Sequence, residues 1–213
     1  MFRQFMENFR QPKGLTGALV TRMMNVGHGA MTGQVLERLA LEKGDTVLDI
    51  GCGGGGAIAR MAALGATVYG IDYSPVSVRT AERTNRAAIR EGRVRIQVAS
   101  VDDLPFSEAM FDWVTAFETV YFWKNIQDNF SGVLSVLKPG GHFAIAVDAY
   151  MEDGEKKNSP SAFDSLNLAL YSAEALQAFA ESAGFEACAS FKGAEGAWLC
   201  FTCRKPIAAR SPN

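Results

Sequence analysis

Two acidic residues, each at the end of an apolar run, mark the part of this 213-residue chain whose residue types suit ligand chemistry. Asp49 lies in the run at residues 47–50 and precedes the stretch 51–56, which reads Gly-Cys-Gly-Gly-Gly-Gly. Asp72 ends a second apolar run, 21 residues after Gly51. Glycines let the backbone turn sharply and let a ligand approach it closely, and an acid at this distance is placed to hold a ribose diol. The pattern therefore predicts a site for a ribose-bearing cofactor.

The position of Asp49 discriminates between such cofactors. Gly51, Gly53 and Gly56 also fit the spacing of a dinucleotide fingerprint. A carboxylate at the strand end would repel a pyrophosphate, whereas it would favour a ligand that carries an ammonium and a sulfonium group. S-adenosylmethionine has both cations and no phosphate, so it is the favoured cofactor. A nicotinamide dinucleotide and a purely structural glycine turn are the alternatives.

Three later stretches add a family resemblance. Residues 104–106 read Leu-Pro-Phe, residues 111–114 read Phe-Asp-Trp-Val, and residues 137–141 read Leu-Lys-Pro-Gly-Gly before an apolar run. With the glycine stretch, these sequences make residues 40–204 resemble the class I S-adenosylmethionine-dependent methyltransferases, in their small-molecule, type 11-like branch. Four such stretches in the same order are far more specific than any one of them.

The resemblance implies a set of cofactor contacts. It places the methionine part of the cofactor against Gly51, Cys52 and Gly53 near Asp49, and the ribose on Asp72. Tyr73 is a candidate to pack on the adenine, the loop of Ser100, Val101 and Asp102 should meet the adenine edge, and Phe117, at a strand end, is a further candidate cofactor contact. The chain departs from the common pattern at Ser100, where many relatives have an acid. Either the Ser100 hydroxyl or the Asp102 carboxylate can accept the hydrogen bond from the adenine amino group.

Methyl transfer is an in-line displacement, so it needs aligned groups more than a fixed set of catalytic residues. A base is required only where the acceptor loses a proton. Glu118 and Tyr121 lie in an aromatic stretch after a predicted strand and are candidates for catalytic or acceptor-binding residues. His28 is a third candidate, because residues 24–28 faintly resemble the corresponding segment of quinone-biosynthesis methyltransferases. Packing roles are the alternative for all three.

The elements that must position these residues alternate between strand and helix. Strands are predicted over residues 46–50, 67–71, 94–98, 113–116 and 142–147, with helices over 57–64, 74–91, 127–137 and 173–183. Residues 185–191 and 197–204 form a predicted hairpin. The pattern predicts an α/β fold with a Rossmann-like, doubly wound, mainly parallel sheet and a C-terminal antiparallel hairpin. The resemblance implies seven strands in the order 3-2-1-4-5-7-6.

We expect an N-terminal helical cover over residues 1–42, the cofactor-binding domain over residues 43–205, and a disordered tail over residues 206–213. Residues 151–160 are polar and predict an exposed loop or a mobile cover. A net charge of −2 with interspersed signs argues against a nucleic-acid partner. No apolar run reaches the ~20 residues needed to span a bilayer, and the N-terminal residues do not resemble a secretory signal.

Cysteine usage points to reduced thiols and a cytoplasmic setting. Four cysteines are too few for a disulfide framework in a chain of this length. Cys200 and Cys203 have an odd offset within a predicted strand, which places their side chains on opposite faces, so no metal site is expected. The resulting hypothesis is a methyltransferase acting on a small molecule. A nicotinamide-dependent oxidoreductase and a non-catalytic cofactor-binding protein on the same fold are the rival hypotheses.

Overall fold

A computed structural model describes residues 29–159 and 168–207 of the chain. The helices are α1 (Gly29–Leu39), α2 (Gly56–Ala63), α3 (Pro75–Thr84), α4 (Arg86–Arg90), α5 (Ile126–Val136) and α6 (Ala173–Ala183). The strands are β1 (Thr46–Ile50), β2 (Thr67–Asp72), β3 (Val94–Val98), β4 (Phe111–Phe117), β5 (Leu137–Val147), β6 (Tyr150–Glu152), β7 (Glu155–Lys157), β8 (Glu186–Lys192) and β9 (Leu199–Arg204).

Seven of these strands form one sheet in the order β3-β2-β1-β4-β5-β9-β8. Strands β1 to β5 pair in parallel, and β9 runs antiparallel to both β5 and β8. Since β8 and β9 are the sixth and seventh strands of this sheet, the order is the predicted one. The predicted α/β class, the mainly parallel sheet and the C-terminal antiparallel hairpin are confirmed.

Both faces of the sheet are covered by apolar helix surfaces. On one face, Phe130 of α5 and Leu176 of α6 pack with the sheet residues around Phe143. On the other, Val35 of α1 and Ile58 of α2 belong to a second buried cluster. Cys203 lies in the first cluster and Cys200 in the second, as their odd offset predicts. The doubly wound arrangement leaves the carboxyl ends of β1 to β5 together at one edge, where ligands of such sheets bind.

Two of the family-like stretches stabilise the opposite edge of the sheet. The Asp112 carboxylate accepts hydrogen bonds from the Thr46 amide, at 2.9 Å, and from the Lys138 ammonium, at 2.8 Å. Residues 138–141 bulge out of the β4–β5 pairing, and a side chain on Gly141 would meet backbone oxygens of Phe111 and Asp112 at 3.1 and 3.0 Å. These residues therefore set the register of β1, β4 and β5 rather than contacting a ligand.

Three features differ from the sequence expectations or lie outside the described residues. The helix predicted over 74–91 is divided at Asn85, between α3 and α4. The segment expected as an exposed loop or cover contains the two-stranded hairpin β6–β7. Of the predicted N-terminal cover, α1 is described, whereas residues 1–28 and the tail beyond residue 207 lie outside the description.

Asn85 anchors the glycine stretch to the helix layer. Its buried side-chain amide donates hydrogen bonds to the carbonyls of Gly55 and Ala81, each at 3.0 Å. Any side chain on Gly55, whose φ is +79°, would meet the Asn85 amide at 2.5 Å. The division of the predicted helix at Asn85 thus coincides with the point where the helix holds the turn after β1.

We expect Asn85→Ala to lower the free energy of unfolding by about 1–3 kcal/mol, because it removes two buried side-chain hydrogen bonds, to Gly55 and Ala81, that are each worth about 0.5–1.5 kcal/mol. Urea denaturation measures this change. Thr84→Ala, at the exposed neighbouring position, is the control and should cost clearly less. Equal losses in the two variants would contradict the anchoring role of Asn85.

Candidate active site

The turn after β1 is bent onto β2 by two hydrogen bonds to one carbonyl. The amides of Gly51 and Cys52 both donate to the oxygen of Ile71, at 2.8 and 2.9 Å. The amide of Gly55 then donates to the oxygen of Cys52 at 2.9 Å, which closes the turn before α2. Gly51 and Gly53 have φ values of +72° and +54°, a backbone region in which glycine has no steric penalty.

The two glycines have different surroundings. A side chain on Gly51 would meet the Thr119 hydroxyl at 2.2 Å, so the turn packs directly against the segment after β4. A side chain on Gly53 would have no neighbour closer than the Gly51 oxygen, at 4.0 Å. Gly51 is therefore required for packing within the protein, while Gly53 leaves its backbone open to a ligand.

Asp49 is a buried acid beneath this turn, with 2% of its surface exposed. Its carboxylate accepts a hydrogen bond of 2.8 Å from the Thr115 hydroxyl of β4. Burial raises the pKa of Asp49 from 3.8 to about 7, the Thr115 hydrogen bond opposes that rise, and the charge of Asp72 adds to it. A cation brought next to Asp49 would relieve the cost of its charge.

Asp72, at the end of β2, links the turn to α3. Its carboxylate accepts hydrogen bonds from the Gly53 amide at 3.0 Å and from the Ser74 amide at 2.8 Å. Burial raises the pKa of Asp72, and these two amides oppose the rise. The Ser77 side chain also hydrogen-bonds the Asp72 carboxylate and opposes the rise in its pKa. Asp72 is buried, with 7% of its surface exposed, and the roughly four acceptor sites of a carboxylate leave room for a further hydroxyl donor.

The segment after β3 joins the same edge of the sheet. The Ala99 amide donates to the backbone carbonyl oxygen of Asp72 at 3.2 Å. The Ser100 hydroxyl donates to the Asp102 carboxylate at 3.1 Å and accepts from the Asp102 amide at 3.2 Å. Tyr73 is 41% exposed beside Asp72. Since Ser100 and Asp102 form one hydrogen-bonded unit, both alternatives for the adenine contact concern the same small turn.

A second set of polar groups lies where β4 and β5 end. Glu118, directly after β4, has its carboxylate 2.8 Å from the donating Tyr121 hydroxyl and 2.6 Å from the donating Asp148 amide. The Tyr121 hydroxyl also lies 3.4 Å from the Asp148 carboxylate. Glu118 adopts a φ of +57°, which is unusual and costly for a residue with a side chain. We call these three residues the acid–tyrosine cluster.

The acid–tyrosine cluster is electrostatically coupled. Burial raises the pKa of Glu118 well above its usual range, and the neighbouring charge of Asp148 raises it further. Burial and the charge of Glu118 likewise raise the pKa of Tyr121. The cluster therefore favours forms of low charge.

Most of the predicted site residues are brought to this edge: Asp49, Gly51, Gly53, Asp72, Tyr73, Ser100, Val101, Asp102, Phe117, Glu118 and Tyr121. Cys52 is in the turn, but its side chain is buried in the second core cluster and packs against Gly70, so only its backbone faces the edge. His28 lies outside the described residues. Sequence reasoning missed Asp148, although it shares the signal of Asp49 and Asp72: an acid at the end of an apolar strand.

Comparisons with known proteins identify similar methyltransferases. The family model described as "Methyltransferase domain" matches residues 48–145. An uncharacterized methyltransferase from Synechocystis is 40% identical over 133 residues, which cover 60% of each chain. An O-methyltransferase from Aspergillus sclerotiorum is 32% identical over 62% of this chain. The chain spans 60% and 52% of the length of these two relatives.

Solved structures share the fold. A chain of the complex between the Haloferax volcanii Trm112 methyltransferase activator and a methyltransferase superposes with a TM-score of 0.78 and 22% identity, covering 87% of this chain and 93% of that one. In the part of the chain that the structure describes, no helix is long and apolar enough to cross a membrane. Within the same residues, no group of His, Cys, Asp or Glu side chains is arranged to hold a metal ion.

The raised pKa of Asp49 predicts a pH-dependent stability. Between pH 3.8 and about 7 the unfolded chain has released this proton while the folded protein retains it, so stability falls as pH rises through this window. The shift corresponds to roughly 4 kcal/mol. Asp49→Asn removes this loss, because an amide stays neutral and can still accept from Thr115. In urea denaturation, the variant should match the parent at pH 4 and be more stable at pH 8.

The exposed Asp103 provides a control for this experiment. Asp103→Asn should leave the pH dependence of stability as it is in the parent protein. Parallel stability curves for the parent and Asp49→Asn from pH 4 to pH 8 would contradict the buried, protonated state of Asp49.

Proposed function

We propose that the chain is a class I S-adenosylmethionine-dependent methyltransferase, which transfers a methyl group from S-adenosylmethionine to a small-molecule acceptor. The observation that carries the proposal is the pair of buried acids, Asp49 and Asp72, around a glycine turn whose Gly53 is open to a ligand. The family match covers the residues that build this arrangement.

The residues fit S-adenosylmethionine better than a dinucleotide. Asp49 and Asp72 are both buried acids whose pKa values are raised, and Asp72 adds to the rise at Asp49. Two such acids favour a cationic ligand and oppose a pyrophosphate. Asp72 would accept from the ribose hydroxyls, and the main chain at Gly51 and Gly53 would hold the methionine part. When bound, the cofactor supplies an electrophilic methyl group on a sulfonium.

The acid–tyrosine cluster supplies the acceptor side of the proposal. An acceptor heteroatom would attack the methyl carbon, the carbon–sulfur bond would break with its electron pair left on sulfur, and the acceptor proton would pass to the Glu118 carboxylate. Tyr121 holds that carboxylate by a hydrogen bond of 2.8 Å. A base at this place suits an acceptor that loses a proton, such as a hydroxyl, and the Aspergillus relative is an O-methyltransferase.

His28 remains a proposed third acceptor-side residue, reaching the edge only if the segment before α1 folds over it. A cytoplasmic setting and the absence of a nucleic-acid partner also stay predictions. The non-catalytic alternative shares every cofactor residue, so only turnover distinguishes it. A screen of hydroxylated small molecules with methyl-labelled cofactor, read as label transfer, is the direct test of the proposal.

Asp72→Ala should weaken binding of S-adenosylhomocysteine by about 1.5–3 kcal/mol, because the ribose loses hydrogen bonds to a carboxylate. Titration calorimetry measures this loss. The exposed Glu108→Ala is the matched control and should bind like the parent. A melt of the parent protein that shifts with a nicotinamide dinucleotide and not with millimolar S-adenosylhomocysteine would overturn the methyltransferase proposal.

Glu118→Gln should lower turnover about 10²-fold or more while leaving S-adenosylhomocysteine affinity nearly unchanged, because it removes the base without touching the cofactor. The parent rate should rise with pH through the raised pKa of Glu118, since only the carboxylate accepts a proton, and this rise should vanish in the variant. Glu108→Gln, at an exposed position, is the control. Loss of cofactor affinity in Glu118→Gln comparable to that of Asp72→Ala would contradict the assignment.

A further inference from the structure

Asn158 joins the end of the segment after β5 to the start of that segment at Asp148. After Asp148 the chain forms the hairpin β6–β7 and ends at Asn158. The Asn158 side-chain amide donates to the backbone carbonyl oxygens of Asp148, at 3.2 Å, and of Gly196, at 2.9 Å. A carboxamide nitrogen has two hydrogens, so it serves both carbonyls at once. The base of the hairpin is therefore closed by one side chain.

The second carbonyl belongs to the turn between β8 and β9. Gly196 also accepts a 3.0 Å hydrogen bond from the buried Tyr150 hydroxyl, at the start of the hairpin. Both ends of the hairpin are thus attached to the same carbonyl. On its other side the turn is fixed to α1, because the Trp198 indole donates to Gln34 at 3.2 Å and the Arg38 guanidinium lies 5.8 Å from the Trp198 ring.

Asp148 is consequently held from two directions. Its amide donates to Glu118 at 2.6 Å, and its carbonyl accepts from Asn158. Its side chain lies 3.4 Å from the Tyr121 hydroxyl, within the acid–tyrosine cluster. Movement of the Asp148 backbone would therefore displace both the donor to Glu118 and the neighbouring charge that acts on it.

We propose that Asn158 is a positioning residue for the acid–tyrosine cluster: through the Asp148 main chain it fixes Glu118 and Tyr121 against the β8–β9 turn. The inference rests on the proposed function, since Glu118 is there the proton acceptor. Asn158 itself touches the peptide backbone and is not placed to touch the acceptor. Asparagine suits the position because it supplies two donors and tolerates the φ of +51° found there.

Asn158→Gly isolates the side-chain amide, because glycine accepts a positive φ without strain. Asp153→Gly is the matched control: Asp153 lies at the exposed tip of the same hairpin and has the same φ of +51°. We expect hydrogen exchange of the Asp148 amide, followed by NMR, to speed up about tenfold in Asn158→Gly and to stay unchanged in Asp153→Gly. Unchanged exchange in Asn158→Gly would overturn the proposal.

A second measurement separates positioning from simple hairpin stability. Titration of the Glu118 carboxyl by carbon-13 NMR should show a lower pKa in Asn158→Gly, because water entry and a more distant Asp148 weaken the two largest causes of its rise. On an acceptor found by label transfer, kcat should fall about tenfold with unchanged S-adenosylhomocysteine affinity. Faster amide exchange with an unchanged Glu118 titration would also overturn the proposal.

The exchange and titration experiments do not require methyl transfer. If the parent protein transfers no methyl group to any acceptor tested, the proposed function fails, while these two measurements still decide whether Asn158 positions Glu118. If the parent protein is active and Asn158→Gly behaves like Asp153→Gly in kcat, exchange and titration, the inference about Asn158 fails alone.

Discussion

The convergence of the Gly51 and Cys52 amides on the oxygen of Ile71 is the constraint on which the rest of the site depends. It bends the chain over the end of β2 immediately after β1, so that the Gly53 amide reaches the Asp72 carboxylate. The same bend places Gly51 against Thr119 and so brings the segment after β4 beside the glycine turn. Without this local geometry, a parallel sheet would still form, but the Gly53 amide would not reach the Asp72 carboxylate.

Sequence reasoning succeeds here where the signal is local. The Ser74-Pro75 start of α3, with Ser74 accepting from the Ser77 amide, and the left-handed Gly184 that ends α6 follow from residue type and neighbouring positions. The spacing of Asp49 and Asp72 is likewise readable, because parallel strands separated by one helix bring their ends together. These features are enough to predict the fold class and the edge of the sheet where a ligand would bind, whereas the strand order follows only from the family resemblance.

The features that could not be predicted from the sequence arise from contacts between residues far apart in the chain. Thr115 bonds Asp49 across 66 positions, and Asn85 bonds Gly55 across 30. Neither pairing leaves a periodic trace in the sequence. The break at Asn85 depends on its contact with Gly55, and the clustering of Glu118 with Asp148 depends on β4 and β5 becoming neighbours. The sequence marks Asp148 as an acid at a strand end, but it does not show which residue Asp148 meets. The family-like stretches also divide between two ends of the sheet, since Asp112 and Lys138 secure its far edge.

The left-handed backbone at Glu118 has opposite consequences for the stability of the protein and for its proposed proton acceptor. A side chain there costs on the order of 1–3 kcal/mol in backbone strain, which a glycine would release. Glycine would also remove the carboxylate that joins β4 to β5. Stability and proton chemistry therefore favour different residues at a single position. A substitution that raises stability by relaxing the backbone at position 118 would therefore remove the proposed proton acceptor.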